Sequence, residues 1–460
     1  MRRILIRSGK DPCLALTPEA TLAGNAFGGN PGNLLFTQAV HEVLSVPGVE
    51  VISNGYVNDR VAPTPDLVAR VNEEFDAFVI PLANAFRSTF LPELRRMTDL
   101  VRQLDIPVVV VGVGAQTVPS AVELPEEVRE PTAAFVGAVL DRSAKVGVRG
   151  EVTRRCLAAL GFGDEHVEVI GCPSLFGAGR DAVVHKRVEE LTSDSRLAAN
   201  VTLSRPRMGA ILRRAADRYP HLTYVPQTLA ELRMLLWGEP VPGGIDPVMP
   251  ITVDDPLYRA DRIRMFVDPE PWYAFMREQD FAFGTRLHGN IAALAAGTPA
   301  YLLTYDSRTT EVADYHGMPH ARLGSVAEDI DPTALYERAD FAELNARRPG
   351  LFDHYLAFLE ANGLAHVHQP GNENPEFGRR LAEISFPGPV GTLFAGGDDT
   401  VLMLLDRLRW LHQGEWADRN RAHGAYDPQP FGPLPSGPSA PPPRRGGRLS
   451  RLTRRALGRS

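Results

Sequence analysis

The sequence predicts an α/β fold made of two successive units, each a parallel sheet covered by helices. Two observations carry that expectation. Short apolar runs bounded by Gly, Pro or Asn alternate with longer amphipathic stretches, the pattern of βα units with buried strands. The alternation pauses over the polar, strandless stretch 177–196 and then resumes, which places one unit over residues 1–185 and a second over 196–345. In the first unit, residues 4–6, 49–52, 77–81, 107–112, 145–148 and 167–170 read as strands, and 33–44, 91–104, 131–143 and 152–160 as helices. In the second, 200–203, 222–225, 263–267, 280–284 and 300–304 read as strands. Residues 346–427 read as a helical extension that caps the second unit or crosses back to the first. From 428 to 460 the chain is Pro-rich and then Arg-rich without an acid, the composition of a disordered tail.

Composition narrows the function classes. A formal net charge of −7 over 460 residues is modest and argues against general nucleic-acid affinity. The three cysteines, Cys13, Cys156 and Cys172, are too few and too scattered for a disulfide framework or a zinc site. The opening MRRILIRSGK has too short an apolar run for a signal peptide, and no stretch approaches the roughly 18 apolar residues of a membrane helix. A cytoplasmic enzyme or binding protein is expected. There is no P-loop, HExxH or GxSxG motif, and His366 and His368 lack a third ligand, so no metal is expected.

The stretch FGTRLHGNIAALAAGTPAYLLTYD, residues 283–306, is where chemistry concentrates. Phe281-Ala282-Phe283 reads as the end of a buried strand and 290–296 as a short apolar helix, with Gly297 as its left-handed cap and Pro299 blocking continuation. Residues 284–289 are then a strand-to-helix turn, where unpaired backbone N–H groups and the helix dipole favour an anion. Arg286 and His288, two apart in an extended turn, face one ligand together. Arg286 can grip a carboxylate or phosphate with two parallel bonds, and His288 can carry a proton near neutral pH.

These residues resemble the polysaccharide pyruvyl transferase family, in which Arg-Leu-His precedes a small-residue helix and a Gly-x-Pro turn. Arg286-Leu287-His288, Gly297-Thr298-Pro299 and Tyr305-Asp306 carry the likeness. Asn30-Pro31-Gly32-Asn33 is similar to the family's Asn-x-Gly-Asp, and Gly112-Val113-Gly114-Ala115-Gln116 to its glycine-rich turn. Val148-Arg149-Gly150-Glu151-Val152-Thr153 is similar to its Arg-Asp-x-x-Ser segment, so the resemblance covers roughly residues 1–330 in the family's order. Three departures each remove a carboxylate: Asn33, Gly150 and Cys172 stand where the family commonly has Asp.

The resemblance implies a GT-B-like arrangement of two Rossmann-like domains facing across a cleft, residues 1–185 on the acceptor side and 196–345 holding the donor. It implies phosphoenolpyruvate as co-substrate with no other cofactor, a sugar or glycan hydroxyl as acceptor, and a role in building cell-envelope polysaccharide. His288 is then the general acid and Arg286 the anion clamp. The substrate contacts expected beside them are Asn30, Gly32, Asn33, Gln116, Arg149, Arg205, Thr285 and Glu311. For several of these the local reading offers a plainer role. Arg149 could pair with Glu151 or Asp141, Asn33 could cap its helix, Glu311 could cap its own, and the polar residues at 204–205 and 227–228 could be ordinary loop. Two other functions fit the same features: a GT-B glycosyltransferase using a nucleotide sugar, and a glycan- or protein-binding member that has lost catalysis with its carboxylates. In the tail, Leu449, Leu452, Ala456 and Leu457 share one helical face among arginines. That makes it a candidate contact with the inner face of the membrane, which would suit a lipid-linked acceptor, the other reading being a solubilising tail.

Overall fold

The computed structural model describes residues 2–117, 123–205, 207–243, 246–395 and 399–409. The tail at 428–460 lies outside them, as does the end of the 346–427 extension. Among the described residues eleven strands are all paired in parallel: β1 (Arg2–Ile6), β2 (Val49–Ser53), β3 (Ala77–Pro81), β4 (Val108–Val111), β5 (Val146–Val148), β6 (Val167–Val169), β7 (Leu197–Asn200), β8 (Thr223–Tyr224), β9 (Phe281–Gly284), β10 (Ala300–Thr304) and β11 (His320–Arg322). The first sheet runs β2-β1-β3-β4 and is continued by the β5-β6 pair, joined to it where Val113 bridges Val148. The second runs β11-β10-β9-β7-β8. Counted from its own first strand, the first sheet therefore runs 2-1-3-4-5-6 and the second 2-1-3-4-5, the order of a doubly wound α/β unit.

Burial explains why the strands were legible. β4 is four consecutive valines, all fully buried, because helices cover both faces of a parallel sheet. The run at 263–267 is also buried yet forms no strand: only Ile263 and Met265 bridge, to Tyr224 and Val390, and Arg264 between them pairs with Asp261. β7 begins three residues earlier than its apolar run suggests, and β11, half polar, carries no apolar signal at all. The extension does cross back. After the helix Ala342–Ala361, Asn362 accepts hydrogen bonds from the backbone of Ala144 and Lys145 at 3.1 Å each, and Val367 N–H donates to Val43 at 3.0 Å.

Buried polar contacts join the two sheets' domains. Lys10 and Asp268 form an ion pair with both side chains 1% exposed. The backbone N–H of Cys172 donates to His316 Nε2 at 2.9 Å, and Gln38 donates to Glu270 at 2.9 Å. Among the described residues no helix is long and apolar enough to cross a membrane.

Candidate functional site

In an open α/β sheet a ligand sits beyond the carboxyl ends of the strands where strand order reverses. Here order reverses between β1 and β3 in one domain and between β7 and β9 in the other, and both points open onto one cleft of about 360 Å³. Arg7 leaves β1, Leu82 to Asn84 leave β3, Thr285 to His288 leave β9, Gln227 follows β8 and Tyr305 follows β10; all line the cleft. The volume is at the lower end of the range of small-ligand pockets, about 300–1,000 Å³.

The Arg286–His288 segment differs in one respect from its sequence reading. The helix is Leu287–Ala295, so it starts three residues early and His288 lies in its first turn, with Arg286 at the N-cap. Gly289, expected in the turn, is helical, and it is small because a Cβ there would sit 2.2 Å from Asn200 Oδ1 and 2.6 Å from Gln227 Nε2. The first turn has no side-chain cap, which leaves its N–H groups for a ligand. Arg286 makes no ion pair among the described residues, and its buried Nε has no hydrogen-bond partner. Gly297 follows the helix at φ 75°, as expected for its left-handed cap.

His288 is packed from the opposite domain. The helix Gly32–Leu44 brings Gly32 so close that an added Cβ would lie 2.4 Å from the histidine's Cβ and Nδ1. Its Nε2 is 4.0 Å from Cys172 Sγ. Burial first, and then the charges of Arg149, Arg308 and Arg286, hold the imidazole's pKa well below its ordinary value, so in the empty cleft it is neutral. The expectation of a proton resting there near neutral pH therefore holds only when an anion offsets those guanidinium groups. We expect Gly32→Ala to displace the ring, costing about 1–3 kcal/mol of stability through overpacking and lowering turnover about tenfold through misplacement. A melting curve and a kcat measurement check both parts.

Arg149, Asn30, Asn33 and Thr285 line the same cleft. Arg149 is 1% exposed and pairs with neither Glu151 nor Asp141; its Nε donates to Gly112 O at 2.9 Å, and it lies over the Phe36 ring. Glu151 is taken by Arg154. Asn33 does not cap its helix but ties back the preceding loop, donating to Phe27 O at 3.0 Å. Asn30 accepts from Gly32 N–H at 2.7 Å. Thr285 Oγ1 accepts from Thr202 N–H at 2.8 Å.

Four expected contacts lie off the cleft lining, Gly32 among them, packed instead against His288. Gln116 does not line the cleft. Arg205 stands just outside it, stacked 4.1 Å over the ring of Tyr305. Glu311 does not cap its own helix: its carboxylate accepts from Thr153 N–H at 2.9 Å and Thr153 Oγ1 at 2.7 Å, at the start of Glu151–Ala158 in the other domain. A Cβ at residue 150 would meet Glu311 at 2.6 Å, so the glycine where the family commonly has Asp makes room for this cross-domain cap. Burial pushes the Glu311 carboxyl up to about 7 despite the Thr153 bonds.

Sequence reading missed Arg7, Asn84, Arg87 and Arg308 and set Gln227 aside as loop, yet all five line the cleft. Gln227 is 1% exposed, and neither of its amide atoms has a hydrogen-bond partner within the protein. Asp59 is the one carboxylate lining the cleft among the described residues, and Arg7 holds it in an ion pair. The remaining charge is positive, from Arg87, Arg149, Arg286 and Arg308. A cleft so lined can hold a small, multiply charged anion and pass a proton through one imidazole.

Comparison with known proteins adds the family. Among solved structures, the chain is similar to the UDP-GlcNAc 2-epimerase of Methanocaldococcus jannaschii in complex with UDP-GlcNAc and UDP (10% identity, 78% of this chain and 99% of that one, TM-score 0.43). It is also similar to the UDP-GlcNAc 2-epimerase of Neisseria meningitidis bound to UDP-GlcNAc (11%, 79% and 100%, 0.43) and to sucrose-phosphate synthase of Thermosynechococcus elongatus (13%, 84% and 100%, 0.39). No curated protein matches. The polysaccharide pyruvyl transferase family model matches residues 49–307, which takes in Arg149, Arg286 and His288 but not the Asn30–Asn33 motif. That match spans more than half of the chain, which therefore belongs to the polysaccharide pyruvyl transferase family and is a transferase.

Proposed function

We propose that this protein transfers a pyruvyl group from phosphoenolpyruvate to a hydroxyl of a sugar or polysaccharide precursor, in the cleft between its two domains. The observation that carries the proposal is a single imidazole, His288, ringed by guanidinium groups from both domains in a cleft whose one carboxylate among the described residues is already paired. Phosphoenolpyruvate supplies the missing anions. Arg286 and the open first turn of Leu287–Ala295 hold one of its charged groups. His288 gives a proton to the methylene carbon, which becomes a methyl group and leaves the adjacent carbon electrophilic. An acceptor hydroxyl adds to that carbon and returns its proton to the imidazole. A second hydroxyl then displaces inorganic phosphate to give a ketal, and the second proton leaves with the phosphate. Asn30 and Asn33, neutral amides on the acceptor side, can orient hydroxyls but cannot take their protons. The arginine-rich tail would suit an acceptor held at an anionic membrane surface.

The test is acceptor-dependent release of phosphate from phosphoenolpyruvate across a panel of sugar diols, with the new methyl group read by proton NMR. Release that tracks the acceptor is the expected result. Turnover of a nucleotide sugar with phosphoenolpyruvate untouched would point to glycosyl transfer instead.

A pH effect follows from the same cleft. Burial first, and then three positive neighbours, depress the imidazole pKa in the free protein, and a polyanionic donor offsets the neighbours' share, so the pKa rises on binding. Donor binding near neutral pH should therefore take up a fraction of a proton, seen as a binding enthalpy that depends on the buffer and is lost in His288→Ala. Without donor the sign is reversed for stability. The folded pKa lies below the unfolded value of about 6.5, so the contribution is intact above that value and is lost as pH falls from there through the folded pKa.

A further inference from the structure

We propose that Arg87 and Arg308, one from each domain, form a phosphoryl-anion site divided across the cleft and distinct from the Arg286–His288 pair. Arg87 comes from the loop after β3, and Arg308 is the second residue of the helix Ser307–His316 that follows β10. Their Nη1 atoms converge on one amide oxygen, that of Asn84, at 3.0 and 2.9 Å in the amide orientation that satisfies both. Two like charges share a neutral acceptor there with no carboxylate between them. Arg87 has no carboxylate partner among the described residues, and the Nε of each arginine is buried without a hydrogen bond. Arg308 does have Asp306 at 3.2 Å and Tyr305 Oη at 3.2 Å, but through its other terminal nitrogen, Nη2.

The electrostatics agree with a missing anion. Burial first and the charge of Arg308 second lower the pKa of Arg87, whereas Arg7, paired with Asp59 in the same cleft, is raised. A protein keeps two guanidinium groups together at a cost when only one of them, Arg308, has a carboxylate partner, and a bound anion reverses that cost. A phosphoryl group fits best, because several oxygens can bridge two planar forks. Because the two arginines come from different domains, the anion also bridges those domains. This deepens the proposed function and rests on a phosphorylated substrate in this cleft. The phosphate is either that of the donor or one carried by the sugar acceptor.

The experiment uses the full chain and inorganic phosphate as probe, with binding followed by melting shift and calorimetry for wild type, Arg87→Gln, Arg308→Gln and Arg286→Lys. Wild type should be stabilised by phosphate, both Gln variants should lose at least tenfold in phosphate affinity, and Arg286→Lys should keep it. Unliganded Arg87→Gln should melt no lower than wild type, because repulsion is relieved; a merely structural arginine would lower it. If Arg308→Gln does not fold, Arg87→Gln decides alone. Saturating phosphoenolpyruvate that abolishes phosphate binding assigns the site to the donor, and simultaneous binding assigns it to the acceptor. Phosphate affinity unchanged in the Gln variants, or absent in wild type, overturns the proposal. Phosphoenolpyruvate binding equally to wild type and Arg87→Gln overturns the donor assignment while leaving the pyruvyl reading intact. Arginine-dependent phosphate binding without any phosphoenolpyruvate binding does the converse.

Discussion

His288→Ala is expected to lower kcat by about 10²–10⁴-fold while the dissociation constant for phosphoenolpyruvate moves only a few-fold. A positioned acid acts where the proton is in flight, in the transition state, and contributes little to holding the donor beforehand. The cleft makes that separation sharp. The imidazole is neutral before the donor arrives, so alanine removes no resident cation, and the arginines around it remain. Partial protonation in the complex accounts for the few-fold change in affinity. Among the described residues no other lining group offers an easy substitute, because Asp59, the one lining carboxylate, is committed to Arg7. Equal kcat in wild type and His288→Ala would remove the histidine from the mechanism. A dissociation constant raised as far as kcat falls would make it a binding group only.

Arg286→Lys should weaken phosphoenolpyruvate binding by about 10- to 100-fold, the loss of charge-assisted bonds worth about 1.5–3 kcal/mol. Lysine keeps the charge but replaces a planar fork by a point, and a paired contact to carboxylate or phosphate needs the fork. Arg286 is free to make that contact: it has no ion pair among the described residues, and its Nε is buried and unsatisfied. Arg205→Lys is the control. Arg205 stacks on Tyr305 outside the cleft, so its effect should be several times smaller. Calorimetric titration reads both variants. If Arg286→Lys binds as tightly as wild type, the clamp lies with Arg149 or with the Arg87–Arg308 pair.

The fold was legible where burial and backbone pairing coincide. The apolar runs at β3 and β4 became strands because both faces of a parallel sheet are covered there, and sequence carries that as a near-continuous apolar run. The run at 263–267 shows the limit: it is buried without a ladder, and composition does not distinguish the two. Pro131 misled in another way. A proline favours the first helical turn, yet the helix is Glu126–Leu140 and passes through it. Within the site, Arg286, His288 and Arg149 were legible because each follows directly from a strand end and belongs to a family motif. Asn84, Arg87 and Arg308 were not, since their meaning arises only when loops of two domains meet around one amide. Glu311 was misread for the converse reason: it belongs to the interface, where it holds Thr153, and nothing in its own neighbourhood in sequence records that partner.

The most direct measurement is a calorimetric titration of the wild-type protein with phosphoenolpyruvate in the presence and absence of UDP-GlcNAc. The cleft carries several guanidinium groups, a neutral imidazole that a polyanion can charge, and no unpaired carboxylate among its described lining. Saturable phosphoenolpyruvate binding at one site, with buffer-dependent proton uptake and no competition from the nucleotide sugar, is the result predicted. Binding of UDP-GlcNAc with no heat from phosphoenolpyruvate would contradict the account and assign the cleft to a nucleotide-sugar substrate.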